Sequence, residues 1–141
     1  MENSKNTETI NQVEIVQKSY GRCLSTGDVL QTFYDYFLSS SPAVKEKFKN
    51  TDFDNQKKLL KHGVNLMIMF ASDTFAGKSG LKRLQHSHNR HNLNIDPKYY
   101  DLWMTCLLKA VEKHDYKVDP EVMTSWEYVL GKGIKFIASG Y

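Results

Sequence analysis

Leu81, Leu84 and His88 stand at i, i+3 and i+7 in the run Leu81-Lys-Arg-Leu-Gln-His-Ser-His-Asn-Arg-His91. An imidazole therefore continues the apolar stripe of a short helix. The helix breaks after it, and a new one starts at Pro97. Neutral imidazole is a metal ligand that keeps a second ring N–H free to donate. A histidine aimed into a core from such a place could hold a haem iron. The plainer alternative is a core histidine satisfied by hydrogen bonds. Two neighbours compete for the role. His86 lies two residues back, about 200° round the helix, and faces the other way; His91 falls at the helix end.

The elements that must position these imidazoles are helical almost throughout. Ile10, Val13, Val16, Tyr20 and Leu24 form one stripe, and Leu30, Phe33, Tyr34, Phe37 and Leu38 the inner face of the next. Ser25-Thr-Gly-Asp28 fits a capping box between them. Gln56, Leu60, Val64, Met67 and Ala71 line a third long helix. Trp103, Cys106, Leu107, Ala110 and Val111 mark a further helix, and Val122, Trp126, Val129, Leu130 and Ile137 the last. Pro42, Pro97 and Pro120 each follow a good N-cap residue (Ser41, Asp96, Asp119), so each is expected at a first helical position. Pro42 opens only a short helix ending at Phe48. Asn50-Thr51-Asp52, and Ser72-Asp73-Thr74 with Gly77 and Gly80, look like loops. No stretch alternates with period two, so an all-α chain is expected. The unequal helix lengths suit steep crossings around a pocket rather than a four-helix bundle.

Bulk composition narrows the function. The chain has 141 residues, enough for one core, and its net charge of +3 is scattered. Nucleic-acid binding has no support in that pattern. The polar N-terminus, a flexible segment over residues 1–8, lacks a signal-peptide core. The longest apolar run, Leu66–Ala71, is too short to cross a membrane. Cys23 and Cys106 sit far apart and read as small buried hydrophobes of a reducing, cytoplasmic compartment. With no C-x-x-C-H motif, any haem would be held non-covalently, as haem b.

Three segments together resemble the globin family, specifically bacterial single-domain globins and the globin part of flavohaemoglobins. They are Leu30–Phe48, with Phe-Tyr-Asp followed by Pro-x-x-Lys-x-x-Phe; Asp54-Asn-Gln-Lys-Lys-Leu-Leu60; and Ser87-His-Asn-Arg with Asn-Ile-Asp-Pro-Lys-Tyr-Tyr-Asp-Leu-Trp103. The resemblance covers roughly residues 8 to 139 and implies a globin fold, a three-over-three helical sandwich around a haem pocket, as a single domain over residues 9–141.

It further implies that His88 is the proximal iron ligand and that Phe48 wedges against the haem. Leu60, one turn after Gln56, would roof the iron site. Tyr34 and Gln56 would be the distal donors that hold oxygen. His91, like Arg90, could reach a haem propionate, and remains a rival ligand because the segment from His88 to Pro97 runs about two residues longer than in flavohaemoglobins. Tyr100 matches a tyrosine that in flavohaemoglobins hydrogen-bonds the proximal side together with a glutamate. The matching glutamate would fall at about Tyr141, so here Tyr100 reads equally as core.

The implied function is a haem b globin that binds oxygen tightly, with nitric oxide oxidation or related redox chemistry supported by electrons from a separate reductase. A gas sensor acting through a partner, and a haem-free regulatory module, are the alternatives. Neither a membrane nor a nucleic acid is an expected partner.

Overall fold

In the computed structural model, described for residues 2–141 with side chains from Thr7 onward, seven helices follow one another, with no strand among the described residues. They are α1 (Glu2–Thr26), α2 (Val29–Ser40), α3 (Pro42–Lys47), α4 (Phe53–Ala71), α5 (Phe75–His88), α6 (Lys98–His114) and α7 (Pro120–Ser139). The order long, long, very short, long, short, long, long is the one the stripes and prolines predict. Helix α1 begins ahead of the stripe that opens at Ile10; much of the expected flexible segment over residues 1–8 lies outside the described side chains.

Side-chain oxygens set most of the helix starts. Asp28 accepts from the Gln31 amide at 3.0 Å, and Asp52 from the amides of Asp54 and Asn55. Thr74 accepts from Gly77 at 3.0 Å, Asp96 from Lys98 at 3.0 Å and Asp119 from Val122 at 2.8 Å. Each satisfies an otherwise orphaned donor, worth about 1 kcal/mol. The box expected at Ser25 is shifted. Asp28 is the cap and Gln31 its partner three residues on, while the Ser25 hydroxyl donates back to the Arg22 carbonyl within α1. At Pro42 the preceding Ser41 caps by backbone position alone, with no side-chain hydrogen bond.

Helices α1, α4, α5 and α6 all pack on α7, while α2 lies across α6 and α4 runs beside α5. Their shared interior holds Val16, Phe33, Val64, Leu81, Leu107, Trp126 and Leu130, all fully buried, together with both free cysteines. Two residues of the first stripe depart from it: Ile10 and Leu24 are exposed, because α1 is covered only along its Val13–Val16–Tyr20–Cys23 line.

The larger correction concerns Gly77 and Gly80. Both lie inside α5 and are buried, not in a loop. A Cβ on Gly77 would collide with the main chain of Met69 and Phe70, and one on Gly80 with the Leu66 side chain. Their lack of a side chain brings α4 and α5 into close contact. That contact places the end of α5 beside the middle of α4.

A buried polar network ties α1 to the corner between α6 and α7. Asp115, almost inaccessible, accepts from the Ser19 hydroxyl at 2.6 Å and from Arg22 Nε and Nη2 at 2.6 and 2.9 Å. Trp126 Nε1 in turn donates to Ser19 at 2.8 Å. Burial alone would raise the Asp115 carboxyl, but the bonds from Arg22, Ser19 and the Lys117 amide more than offset it, so the group sits below the usual carboxylate range.

Candidate functional site

His88 is the last residue of α5, half-buried, on the same face as the buried Leu81 and the half-buried Leu84. Its Nδ1 lies 2.9 Å from the Leu84 carbonyl oxygen, one turn back. A carbonyl can only accept, so Nδ1 carries the proton. The Ser87 hydroxyl, itself donating to Leu84 O at 3.0 Å, sits 3.0 Å from the same nitrogen and accepts a share of that proton. Nδ1 is therefore committed, and Nε2, with its lone pair, makes no hydrogen bond among the described residues. Burial lowers the imidazole below its ordinary pKa, opposed in part by the Leu84 bond, so the ring is neutral near pH 7. This is the protonation state and tautomer a metal ligand needs.

Helix α4 supplies the other wall. Leu60 is buried, and a Cβ added to Gly63, nearly one turn on, would lie 4.0 Å from Leu84 Cδ1. The two helices thus converge within a turn of both Leu60 and His88. Gln56, half-buried, lies one turn before Leu60 on the same side.

Tyr34 projects from α2 into an aromatic cluster. Its ring lies 4.9 Å from Phe33, 5.9 Å from Phe48 and 5.4 Å from Phe53, all edge-on. The residue is 3% exposed. Its hydroxyl donates to the Gln56 main-chain carbonyl across 3.5 Å, well beyond the usual 2.5–3.0 Å for such a bond. Burial pushes the phenol up to about 12, while the Gln56 side chain draws it partly back. The group is thus a neutral, buried donor that is poorly used, with a second donor beside it.

Residues 31–136 match the family profile for globins. A solved structure from Pseudomonas aeruginosa, described as structurally highly homologous to a human haemoglobin, is 41% identical and superposes with a TM-score of 0.89. The match covers 92% of this chain and 98% of that one. The chain belongs to the globin family. No curated relative matches it.

The helices of this globin therefore form the globin fold, and members of the family generally bind haem. The residues present suit that group on their own chemistry: a neutral imidazole with a free Nε2, a buried and under-used phenol donor, and half-buried apolar side chains (Phe48, Leu84, Tyr99, Tyr100, Trp103) packed on the core without being enclosed by it. Among the described residues no group of histidine, cysteine and carboxylate side chains could hold a bare metal ion. No helix there is long and apolar enough to cross a membrane.

The predicted residues are distributed unevenly. Tyr34 meets both Phe48 and Gln56, and Leu60 shares the α4 face of Gln56. His88 is held by its own helix. Tyr100 lies half-buried in the first turn of α6, its phenol raised to about 12 by burial, with Tyr141 close enough to add to the effect. His91 stands apart, exposed in the turn after α5, its amide donating to Asn89 Oδ1 at 3.0 Å. His86 and His62 are exposed.

Sequence reasoning missed Phe53, which closes the aromatic cluster 6.2 Å from Phe48. Its place directly after the Asp52 cap was the available signal, since apolar residues at a helix start often pack back on the preceding corner. It also missed the partnership of Ser87 with His88, which adjacency in sequence does not reveal.

Proposed function

We propose that this globin holds haem b non-covalently through His88 and binds dioxygen tightly, with Tyr34 and Gln56 as the distal donors. The observation that carries the reading is the Tyr34 hydroxyl: buried, neutral, and spent on a carbonyl 3.5 Å away. A donor so placed is free to turn toward a better acceptor at small loss. Haem, once seated, would supply a ferrous iron that takes up dioxygen. The outer atom of that ligand carries partial negative charge, and a phenol O–H with an amide N–H beside it stabilises such charge. Phe48 and Leu60 pack against the macrocycle and exclude water. His91 and Arg90, in the exposed turn after α5, would be the residues within reach of haem propionates, Arg90 through the guanidinium N–H groups other than the Nε it gives to Tyr141, and Tyr100 would pack on the proximal side.

Tight binding suits reaction better than delivery. One nitric oxide, one dioxygen and one electron make nitrate, a balance that bound haem could serve here, with a separate reductase supplying the electron. The test is the absorption spectrum of the purified protein, ferric, ferrous and under oxygen, beside His88→Ala. A Soret band that is lost or displaced in the variant supports His88 as ligand; a band unchanged in His88→Ala but displaced in His91→Ala assigns the ligand to His91. Nitrate formed stoichiometrically with nitric oxide under oxygen, with a generic flavin reductase added, tests the reaction. A protein that takes up no haem refutes the whole reading.

A further inference from the structure

The loop after His88 folds back over the end of its own helix and is then held from outside. The last carbonyls of α5 are taken by loop donors: Ser87 O accepts from the Leu93 amide at 3.0 Å, and His88 O from the Ile95 amide at 3.1 Å. Between Leu93 and Ile95, Asn94 adopts a left-handed conformation with φ 52°, one that glycine or asparagine accepts more readily than other residues. Its side-chain oxygen accepts from the Tyr141 hydroxyl at 2.6 Å. The Tyr141 carbonyl accepts from Arg90 Nε at 3.0 Å and from the Arg90 amide at 3.2 Å. The Arg90 guanidinium rests over the Tyr141 ring, 4.8 Å from its centroid. One turn inside α5, Gln85 Nε2 donates to the Phe136 carbonyl of α7 at 2.7 Å.

Resting on the haem reading above, we infer that Tyr141, with Asn94 and Arg90, is a clasp that positions His88. The path is short. Tyr141 fixes Asn94, Asn94 fixes the adjacent Ile95 amide, and that amide holds the main-chain oxygen of His88. The loop that leads away from His88 is thereby tied to Tyr141, just beyond the end of α7. Tyr141 is a positioning residue, since it touches neither His88 nor the iron site directly.

Two substitutions remove the same bond from opposite ends. Tyr141→Phe keeps the ring beneath Arg90, and Asn94→Gly keeps the left-handed turn while deleting the acceptor. A solvent-accessible hydrogen bond of this kind is worth roughly a two- to tenfold change in an equilibrium or rate. Each variant should release haem to an excess of a haem acceptor roughly two- to tenfold faster than wild type. Each should also displace or broaden the ferrous iron–histidine stretching band, and speed amide exchange of residues 91–95 in haem-free protein. The double variant should match the singles, because the bond can be lost only once.

Unchanged exchange in both variants overturns the clasp. Faster exchange with wild-type haem release and an unmoved stretching band overturns its role in positioning His88. A wild type that takes up no haem fails before any variant is compared, which marks failure of the haem reading and brings this inference down with it.

Discussion

Replacing Tyr34 with phenylalanine removes one oxygen atom from the distal cluster and separates function from stability. The ring contacts to Phe33, Phe48 and Phe53 survive, since all are edge contacts that do not involve the hydroxyl. The lost bond is the 3.5 Å contact to the Gln56 carbonyl, outside the range where an O–H···O bond carries its full value. The thermal midpoint should therefore change by no more than the equivalent of about 1 kcal/mol. Toward dioxygen the balance differs. A hydrogen bond to a partly charged acceptor contributes about 1.5–3 kcal/mol, which is roughly ten- to over a hundredfold in dissociation rate. Carbon monoxide develops little charge, and a bond to a neutral acceptor is worth about 0.5–1.5 kcal/mol, so its release should quicken about tenfold at most.

Stopped-flow displacement of each gas from ferrous protein measures both rates. With the phenol raised to about 12, the donor stays protonated up to strongly alkaline pH, so the ratio between wild type and variant should be flat from pH 6 to 9. Oxygen release within twofold of wild type would refute the reasoning, because the hydroxyl would then be holding Gln56 and nothing else. A large fall in stability with unchanged oxygen release would make Tyr34 an ordinary core residue.

Gln56→Leu should raise oxygen release several-fold while sparing stability, checked by the same displacement experiment. Gly77→Ala forces a Cβ against the backbone of Met69–Phe70, which cannot yield as a side chain would, and should cost about 1–3 kcal/mol by thermal melting; Gly21→Ala meets nothing within 4 Å inside α1 and should add about 0.5–1 kcal/mol. Asp115→Ala strands Arg22 and Ser19 and should cost about 3–5 kcal/mol, lowering the melting midpoint by roughly 10 °C or more. Because the Asp115 carboxyl titrates lower folded than unfolded, its contribution is fully present above about pH 5 and is lost as pH falls through the folded value, so the gap between wild type and variant should close in acid melts.

Helix order, most of the core and the cap at Asp119 were legible because each rests on local physics: apolar period, a short polar side chain ahead of a helix, and proline's fixed φ. Before α6 the expectation was one residue out, since Pro97 is itself the cap and the helix opens at Lys98. The stripe through Leu81, Leu84 and His88 was read the same way, and the face it predicts is the one that turns inward. Gly77 and Gly80 were illegible as helix because glycine has a poor local propensity, and what keeps them helical is α4 lying against them. The Ile10 and Leu24 ends of the first stripe failed for the converse reason. Period marks a face, but only a neighbour buries it, and nothing covers those two. In the candidate site, spacing singled out His88, while Tyr34, Gln56 and Phe48 were named by the resemblance to globins and not by their own types or spacing. The contacts that orient them were not visible. Ser87 to His88 depends on a rotamer, and Tyr141 to Asn94 joins residues 47 apart in sequence.

On the proposed haem reading, the surroundings of His88 and of Tyr34 are built to different tolerances, and this follows from what each would have to do. Around His88 every polar atom named above except the free Nε2 has a short partner: Nδ1 at 2.9 Å, the main-chain oxygen at 3.1 Å, Asn94 at 2.6 Å. An imidazole that must keep one atom at a fixed bonding distance gains from such restraint, since any wobble weakens the bond it makes. At Tyr34 the hydroxyl donates only across 3.5 Å to a carbonyl, with the Gln56 side chain beside it. A donor that must meet an incoming ligand gains from having little to give up, because whatever it already holds is subtracted from what the new bond contributes. Shortening the Tyr34 contact would therefore weaken oxygen binding even while stabilising the fold, whereas loosening the loop after His88 would weaken haem retention while leaving the distal donors untouched. Substitutions on the two sides should accordingly add in free energy, and strong coupling between Tyr34→Phe and Tyr141→Phe in haem release would mean the two sides are not independent.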